Sequence, residues 1–306
     1  MMNLNGLHLL LTYQCILECD HCFAWGSPKQ SGTMTPEDIR LILEQAKELE
    51  TLEWIYFEGG EPFLHYAVLR GAVEAAARAG FQVGIVTNSY WATSADSCRE
   101  NLRPLAGLVQ DLIISSDAYH WGEGNGEKRH LVEEAARELG IPLGVISVAG
   151  PGAPDARSSS GALQPGTDAL LYRGRAAVRL ASQAAGGAWD RYTTCPHEDL
   201  REPGRVHLDP FGYVHMCQGI SIGNIHEQRL ADLCAGYRPD EHPITGPLLE
   251  GGPAGLVRHY DLPLQGRYAD ACHLCYTARA ALRERFPAAL APGEMYGDFA
   301  AAAPGS

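Results

Sequence analysis

The first half of the chain alternates between short apolar runs and amphipathic stretches, and that rhythm constrains the fold more than any other feature. Residues 7–12 form an apolar run with little alternation, as in a strand buried on both faces. Thr35-Pro36-Glu37-Asp38 has the form of a helix start, with an N-cap, a proline at the first helical position and a carboxylate three residues on. Ile39, Leu41, Ile42, Ala46 and Leu49 continue it as a helical stripe. Strands are then predicted at 52–57, 81–87, 111–115 and 142–148. Helices are predicted at 67–79, from Thr93-Ser94 onward, and at 127–139, with Gly80 and Gly140 as stops. Short joints between such units predict a parallel sheet with right-handed crossovers.

Ligand groups in sheets of this kind gather at the carboxyl ends of the strands. Four segments fall there: the loop after the first strand, Gly59-Gly60-Glu61, Asn88, and Ser116-Asp117. The loop carries Cys15, Cys19 and Cys22 as C-x3-C-x2-C. Three thiolates in one loop suit a soft metal centre, whereas a closed zinc or iron–sulfur site takes four protein ligands. Three of four leaves one position open to chemistry. Taken singly, the array also fits a zinc knuckle or redox cluster, and Gly-Gly-Glu-Pro and Asn88 also fit turns. Their order along successive strand ends points to a catalytic centre.

Residues 149–167 break the rhythm with Gly, Pro and Ser, a loop that is either functional or disordered. A sixth strand is expected at 168–172, then a helix to residue 185. Gly186-Gly187 marks a boundary between a domain of residues 1–187 and another of 188–306. The second part holds Cys195, a hairpin at 206–208 and 213–216 turned at Asp209-Pro210-Phe211-Gly212, then Cys217. A short helix bears Cys234, and Cys272-x2-Cys275 opens a helix rich in Ala and Arg. The tail beyond Pro287 reads as loosely ordered. Cys195, Cys217, Cys272 and Cys275 make a second set of four thiols, suited to one closed [4Fe–4S] cluster or a four-thiolate zinc site. Cys98 reads as a buried core residue. Cys234 is either packing or a thiol able to return a hydrogen atom. A net charge of -13 argues against nucleic acid or an anionic membrane as partner. With no basic signal region and no apolar run near 18 residues, the chain reads as cytoplasmic, where nine cysteines imply metal or redox use.

C-x3-C-x2-C, Gly59-Gly60-Glu61 and Ser116-Asp117 on successive strand ends resemble the radical S-adenosylmethionine (SAM) superfamily, over roughly residues 7–185. The resemblance implies an α/β fold, a partial (β/α)6 TIM-like barrel. A [4Fe–4S] cluster on Cys15, Cys19 and Cys22 would pass an electron to SAM, yielding a 5′-deoxyadenosyl radical that abstracts hydrogen. It implies SAM contacts from His21, Phe23, Gly59, Gly60, Glu61, Asn88, Ser116 and Asp117, with Glu61 accepting from the amine. Arg173 and Arg175 either bind the SAM carboxylate or pair with surface acids. Tyr119 and His120 stand at the mouth of the site, as substrate contacts or as a surface pair without a role. Gly212-x4-Cys217 with the late C-x2-C resembles the small hairpin-plus-helix auxiliary-cluster extension called a twitch domain, a shortened SPASM form, which brings the cofactors to two [4Fe–4S] clusters and SAM.

Within the superfamily the chain partly resembles peptide epimerases that make D-residues. Those enzymes have a second cysteine directly after the position of Cys217 as hydrogen donor; here Gln218 stands there. Their aspartate before the hairpin has no match near Arg205. The expectation is therefore an oxidoreductase acting on a natural product or peptide, with electron loss through the auxiliary cluster. A redox-neutral epimerase and a non-enzymatic iron–sulfur electron carrier are the alternatives. An external donor such as flavodoxin or ferredoxin is implied.

Overall fold

A computed structural model describes residues 2–122, 125–151 and 166–298. Much of the 149–167 loop reading, and the last eight residues of the tail, lie outside the described residues. In chain order the elements open with β1 (Gly6–Thr12), α1 (Pro36–Ala46), β2 (Trp54–Gly59), α2 (Tyr66–Arg78), β3 (Gln82–Thr87) and α3 (Ala95–Leu102). Next come β4 (Asp111–Ser115), α4 (Ala118–Trp121), α5 (Asn125–Leu139), β5 (Leu143–Val148), β6 (Gly166–Asp168) and α6 (Arg175–Arg179). The remainder is β7 (Gly187–Ala188), β8 (Arg205–Leu208), β9 (Tyr213–Cys217), β10 (Ile220–Asn224), α7 (Leu230–Gly236), α8 (Thr245–His259), β11 (Arg267–Tyr268) and α9 (Ala271–Leu282).

Strands β1 to β6 lie side by side in chain order, each parallel to the next, as a six-stranded partial barrel. Alternation along β1 sorts its side chains. Leu7, Leu9 and Leu11 join the core beneath the helices, while His8, Leu10 and Thr12 turn to the concave side. The α1 start forms the expected capping box: Thr35 accepts from Asp38 N, and the Asp38 carboxylate accepts from Thr35 N. Ser94 and Ser97 cap α3 in the same manner.

Three local expectations are corrected. The sixth strand spans 166–168 rather than 168–172, because Ala149 N bonds Asp168 O and pairing with β5 stops there. The hairpin gains a third strand, β10, whose pairing with β9 shifts register twice and so hides from a period-two reading. The tail through residue 298 is packed, with Met295 and Tyr296 buried and Tyr296 Oη donating to Gly219 O at 2.7 Å. One long-range pairing has no local signal. β8 lies parallel to β1, His207 opposite His8, so β8, β9 and β10 extend the barrel sheet to nine strands. No described helix is long and apolar enough to cross a membrane.

Candidate active site

The cysteine loop leaves β1 and is fastened from behind. Arg175, 3% exposed at the start of α6, donates Nη1 to Cys19 O and Nη2 to Gly26 O, each at 2.8 Å. Its backbone N bonds Cys22 O at 2.9 Å. Gly174 permits this approach, since at φ 59° its Cβ would lie 2.5 Å from Phe23 O. With three carbonyls held by Arg175, Cys15, Cys19 and Cys22 line one cavity of about 220 Å³. Backbone and amide N–H groups meet two of the sulfurs: Leu17 N and Asn88 Nδ2 lie 3.4 Å from Cys15 Sγ, and Gly26 N lies 3.2 Å from Cys22 Sγ. Burial pushes the Cys15 thiol up to about 12 and raises Cys19 as well, with neighbouring thiolates adding to both. Sulfurs so placed ionise together when cationic iron joins them, so the donor set fits an iron–sulfur cluster on three thiolates.

The cavity wall comes from the strand ends. Gly59 and Gly60 line it, and neither tolerates a side chain: a Cβ would lie 2.3 Å from Thr12 O or 2.1 Å from Gln14 O. Asn88, Ser115 and Asp117 follow from β3 and β4. Asp117 caps α4, accepting from Tyr119 N at 3.0 Å, and its carboxylate meets His120 Nδ1 at 2.8 Å. His21 stacks on Tyr119, ring centroids 4.6 Å apart, with Nε2 4.0 Å from the Asp117 carboxylate. Burial lowers His21 to about 4. Glu58 also lines the cavity, its Oε1 3.0 Å from His207 Nε2.

A second cavity shares His21, Phe23, Ile146 and Val148 with the first and runs on to Arg173, Glu198 and Arg205. Arg173 Nη1 lies 3.2 Å from Glu198 Oε1 and 3.6 Å from Cys217 Sγ. Behind it gather Cys195, Cys217, Cys272 and Cys275. Burial pushes Cys195 up to about 12, and the Cys217 and Cys275 thiolates add repulsion. Cys272 and Cys275 are raised as well. Asp270 caps α9 by accepting from His273 N at 2.7 Å, setting both cysteines in its first turns. One turn later Arg279, 2% exposed, donates to Gln218 O at 2.7 Å and runs beside Cys275. One buried and one partly buried guanidinium beside four thiols fit a closed, net negative four-thiolate centre.

Residues 9–157 match the model of the radical SAM superfamily. The chain carries a radical SAM domain. YydG of Bacillus subtilis (strain 168), which bears the name of a peptide biosynthesis protein, is 32% identical over 111 residues, 36% of this chain and 35% of its own length. The tungsten-containing aldehyde ferredoxin oxidoreductase cofactor-modifying protein of Pyrococcus furiosus (strain ATCC 43587 / DSM 3638 / JCM 8422 / Vc1) is 35% identical over 111 residues, 36% of this chain and 30% of its own. The matches thus span about a third of these relatives. Among solved structures, BtrN in complex with AdoMet and 2-DOIA aligns with 81% of this chain and 88% of its own at TM-score 0.54 and 17% identity. SuiB of Streptococcus suis bound to S-adenosylmethionine aligns with 78% and 66% at TM-score 0.52 and 14% identity. These two likenesses concern the fold.

The radical SAM domain brings most of the expected residues to one cavity: Cys15, Cys19, Cys22, His21, Phe23, Gly59, Gly60, Asn88, Asp117 and His120, with Tyr119 stacked behind. Three expected residues go elsewhere. Glu61 is 0% exposed and already used, accepting from Phe63 N at 3.0 Å, Thr87 Oγ1 at 2.8 Å and Asn88 N at 2.7 Å. Ser116 falls on the other side of β4, in a groove with Arg129 and Glu133, and Ser115 takes its place. Cys234 is 1% exposed in the core beside Leu230 and Leu233, and Cys98 is 0% exposed. Arg175 binds loop carbonyls and Arg173 reaches Cys217, so neither is a surface pair. Sequence reasoning missed Glu58, His8 and His207. The signal for Glu58 was available, since a strand carried two residues further puts it on the same face as Trp54 and Tyr56, whose rings stack.

Proposed function

We propose that the chain is a radical SAM oxidoreductase that removes hydrogen from a natural-product or peptide substrate, with the electron leaving through an auxiliary [4Fe–4S] cluster. Cys15, Cys19 and Cys22 hold the first cluster, and Cys195, Cys217, Cys272 and Cys275, in an auxiliary domain of residues 188–306, hold the second. The chemistry supplied at the first site is one-electron cleavage of SAM to a 5′-deoxyadenosyl radical that takes hydrogen from the substrate. Gly59, Gly60 and Asn88 bind SAM beside the loop, and His21 and Phe23 border both SAM and substrate. Arg173 closes the far end of the substrate cavity. An external donor such as flavodoxin or ferredoxin supplies the electron.

The observation that carries this reading is the contact of Arg173. It lines the second cavity, which shares four lining residues with the first, and touches Cys217 Sγ, so that cavity ends one side chain short of the second cysteine group. A substrate there lies between a radical source and an electron acceptor, the arrangement net oxidation needs. Epimerisation with a cysteine donor fits less well. Of nine cysteines, seven fall in the two groups, and Cys98 and Cys234 are buried away from both cavities.

Anaerobic reconstitution tests the reading. About eight irons per chain are expected, together with 5′-deoxyadenosine release on addition of dithionite and SAM. Replacing Cys15, Cys19 and Cys22 by Ala should abolish release and leave about half the iron. Absence of SAM cleavage by fully loaded protein refutes the enzyme. With substrate in heavy water, a product two hydrogens lighter supports oxidation, and one solvent deuterium at an inverted carbon replaces it with epimerisation.

A further inference from the structure

Inside the barrel, below the first cavity, three side chains with no part in either cysteine group converge. His8 on β1 and His207 on β8 occupy directly opposed positions, and Glu58 extends from β2 one lumen-facing step above Tyr56. Glu58 Oε1 lies 3.0 Å from His207 Nε2 and 3.5 Å from His8 Nδ1, and the three candidate ligand atoms all lie within 4.8 Å of one another. All three residues are at most 7% exposed.

We propose that His8, Glu58 and His207 form a binding site for a divalent first-row metal ion, separate from both cysteine groups. Two imidazoles and one carboxylate are a set such ions take, and they leave coordination positions open. Ligand atoms each about 2.1 Å from one ion, at angles of about 90–110°, lie about 3.0–3.4 Å apart; the 3.0 Å separation falls in that range and the 3.5 Å one just beyond it. The three strands are adjacent and hydrogen-bonded, so the set is held by sheet rather than by loop. The ring of His8 is further fixed by stacking on Tyr56, centroids 4.6 Å apart, and Tyr56 Oη donates to Asp111 at 2.6 Å. Glu58 lines the first cavity, which gives an ion a way in. A cation also supplies the positive charge that a buried carboxylate requires.

Mn2+ is the probe, because it favours nitrogen and oxygen ligands over thiolates. It is titrated into the anaerobically reconstituted full chain, and the electron paramagnetic resonance signal of free Mn2+ is followed. One site per chain is expected, weakened at least tenfold in His207→Ala and in the isosteric Glu58→Gln, each checked for unchanged circular dichroism and iron content. If either variant fails to fold, wild-type protein alone decides: bound Mn2+ should carry nitrogen modulation from imidazole. Absence of binding, equal affinity in both folded variants, or bound Mn2+ without nitrogen coupling overturns the site and leaves a buried, ion-paired His–Glu–His cluster.

Discussion

Glu61→Ala distinguishes a carboxylate that contacts SAM from one that braces the fold. The side chain is 0% exposed, and its two oxygens accept from Phe63 N, Thr87 Oγ1 and Asn88 N. Asn88 in turn presents its amide to Cys15 Sγ. Truncation leaves three buried donors without their acceptor, at about 1–3 kcal/mol each. Part of that cost is offset because a buried carboxylate no longer has to be desolvated. A net loss of about 3 kcal/mol follows. Urea unfolding of the metal-free chain, followed by circular dichroism under anaerobic conditions, measures it. Calorimetric titration of SAM into the reconstituted variant gives the second number, and the folded fraction should bind within about tenfold of wild type. A stability loss below about 1 kcal/mol, with SAM affinity down by a hundredfold or more, refutes the brace.

Two further outcomes follow from the same geometry. Burial raises the Glu61 carboxyl from 4.5 to about 7, so the folded chain holds this proton more tightly than the unfolded one. Its stabilisation is therefore complete below pH 4.5 and lost as pH rises through 7, about 3 kcal/mol in all; stability measured against pH should lose that slope in Glu61→Gln. Arg175→Met removes the two guanidinium bonds to Cys19 O and Gly26 O, about 3–5 kcal/mol of fastening. Iron after reconstitution should fall by about half, as the loop no longer presents three sulfurs together, and full iron loading would contradict the assigned role.

The radical SAM domain was legible because its signals are local. Apolar runs marked β1 to β5, with capping boxes at the starts of α1 and α3 and glycine stops after α2 and α5, and ligands at strand ends followed from the parallel order. What stayed hidden depends on partners distant in sequence. Helix α8 contains Gly251, Gly252 and Pro253, which read as breakers, and its backbone is non-helical at the two glycines. They do break it, and two helical segments meet at a kink whose form is set by distant residues: Ala254 N bonds Tyr192 O, and Gly252 lies against the Thr193–Thr194 backbone. Glu58 and Glu61 flank two glycines, and composition cannot tell which one faces the cavity. Two more strand residues keep the alternation through Glu58, whereas Gly59 at φ 133° breaks it and sends Glu61 behind the wall. Arg173 and Arg175 differ in destination because Gly174 at φ 59° turns the chain between them.

The parallel pairing of β1 with β8 also bears on how the chain is made. Residues 6–9 leave the ribosome about 200 residues ahead of the strand that covers their outer edge, which ends near residue 208. At about 5–20 residues per second, that edge waits about 10–40 s for its partner. Throughout the interval an apolar strand offers unpaired backbone to any neighbouring chain. Fragments ending before residue 205 should therefore precipitate even though they contain every strand of the barrel, and slow synthesis should favour inclusion bodies over active protein.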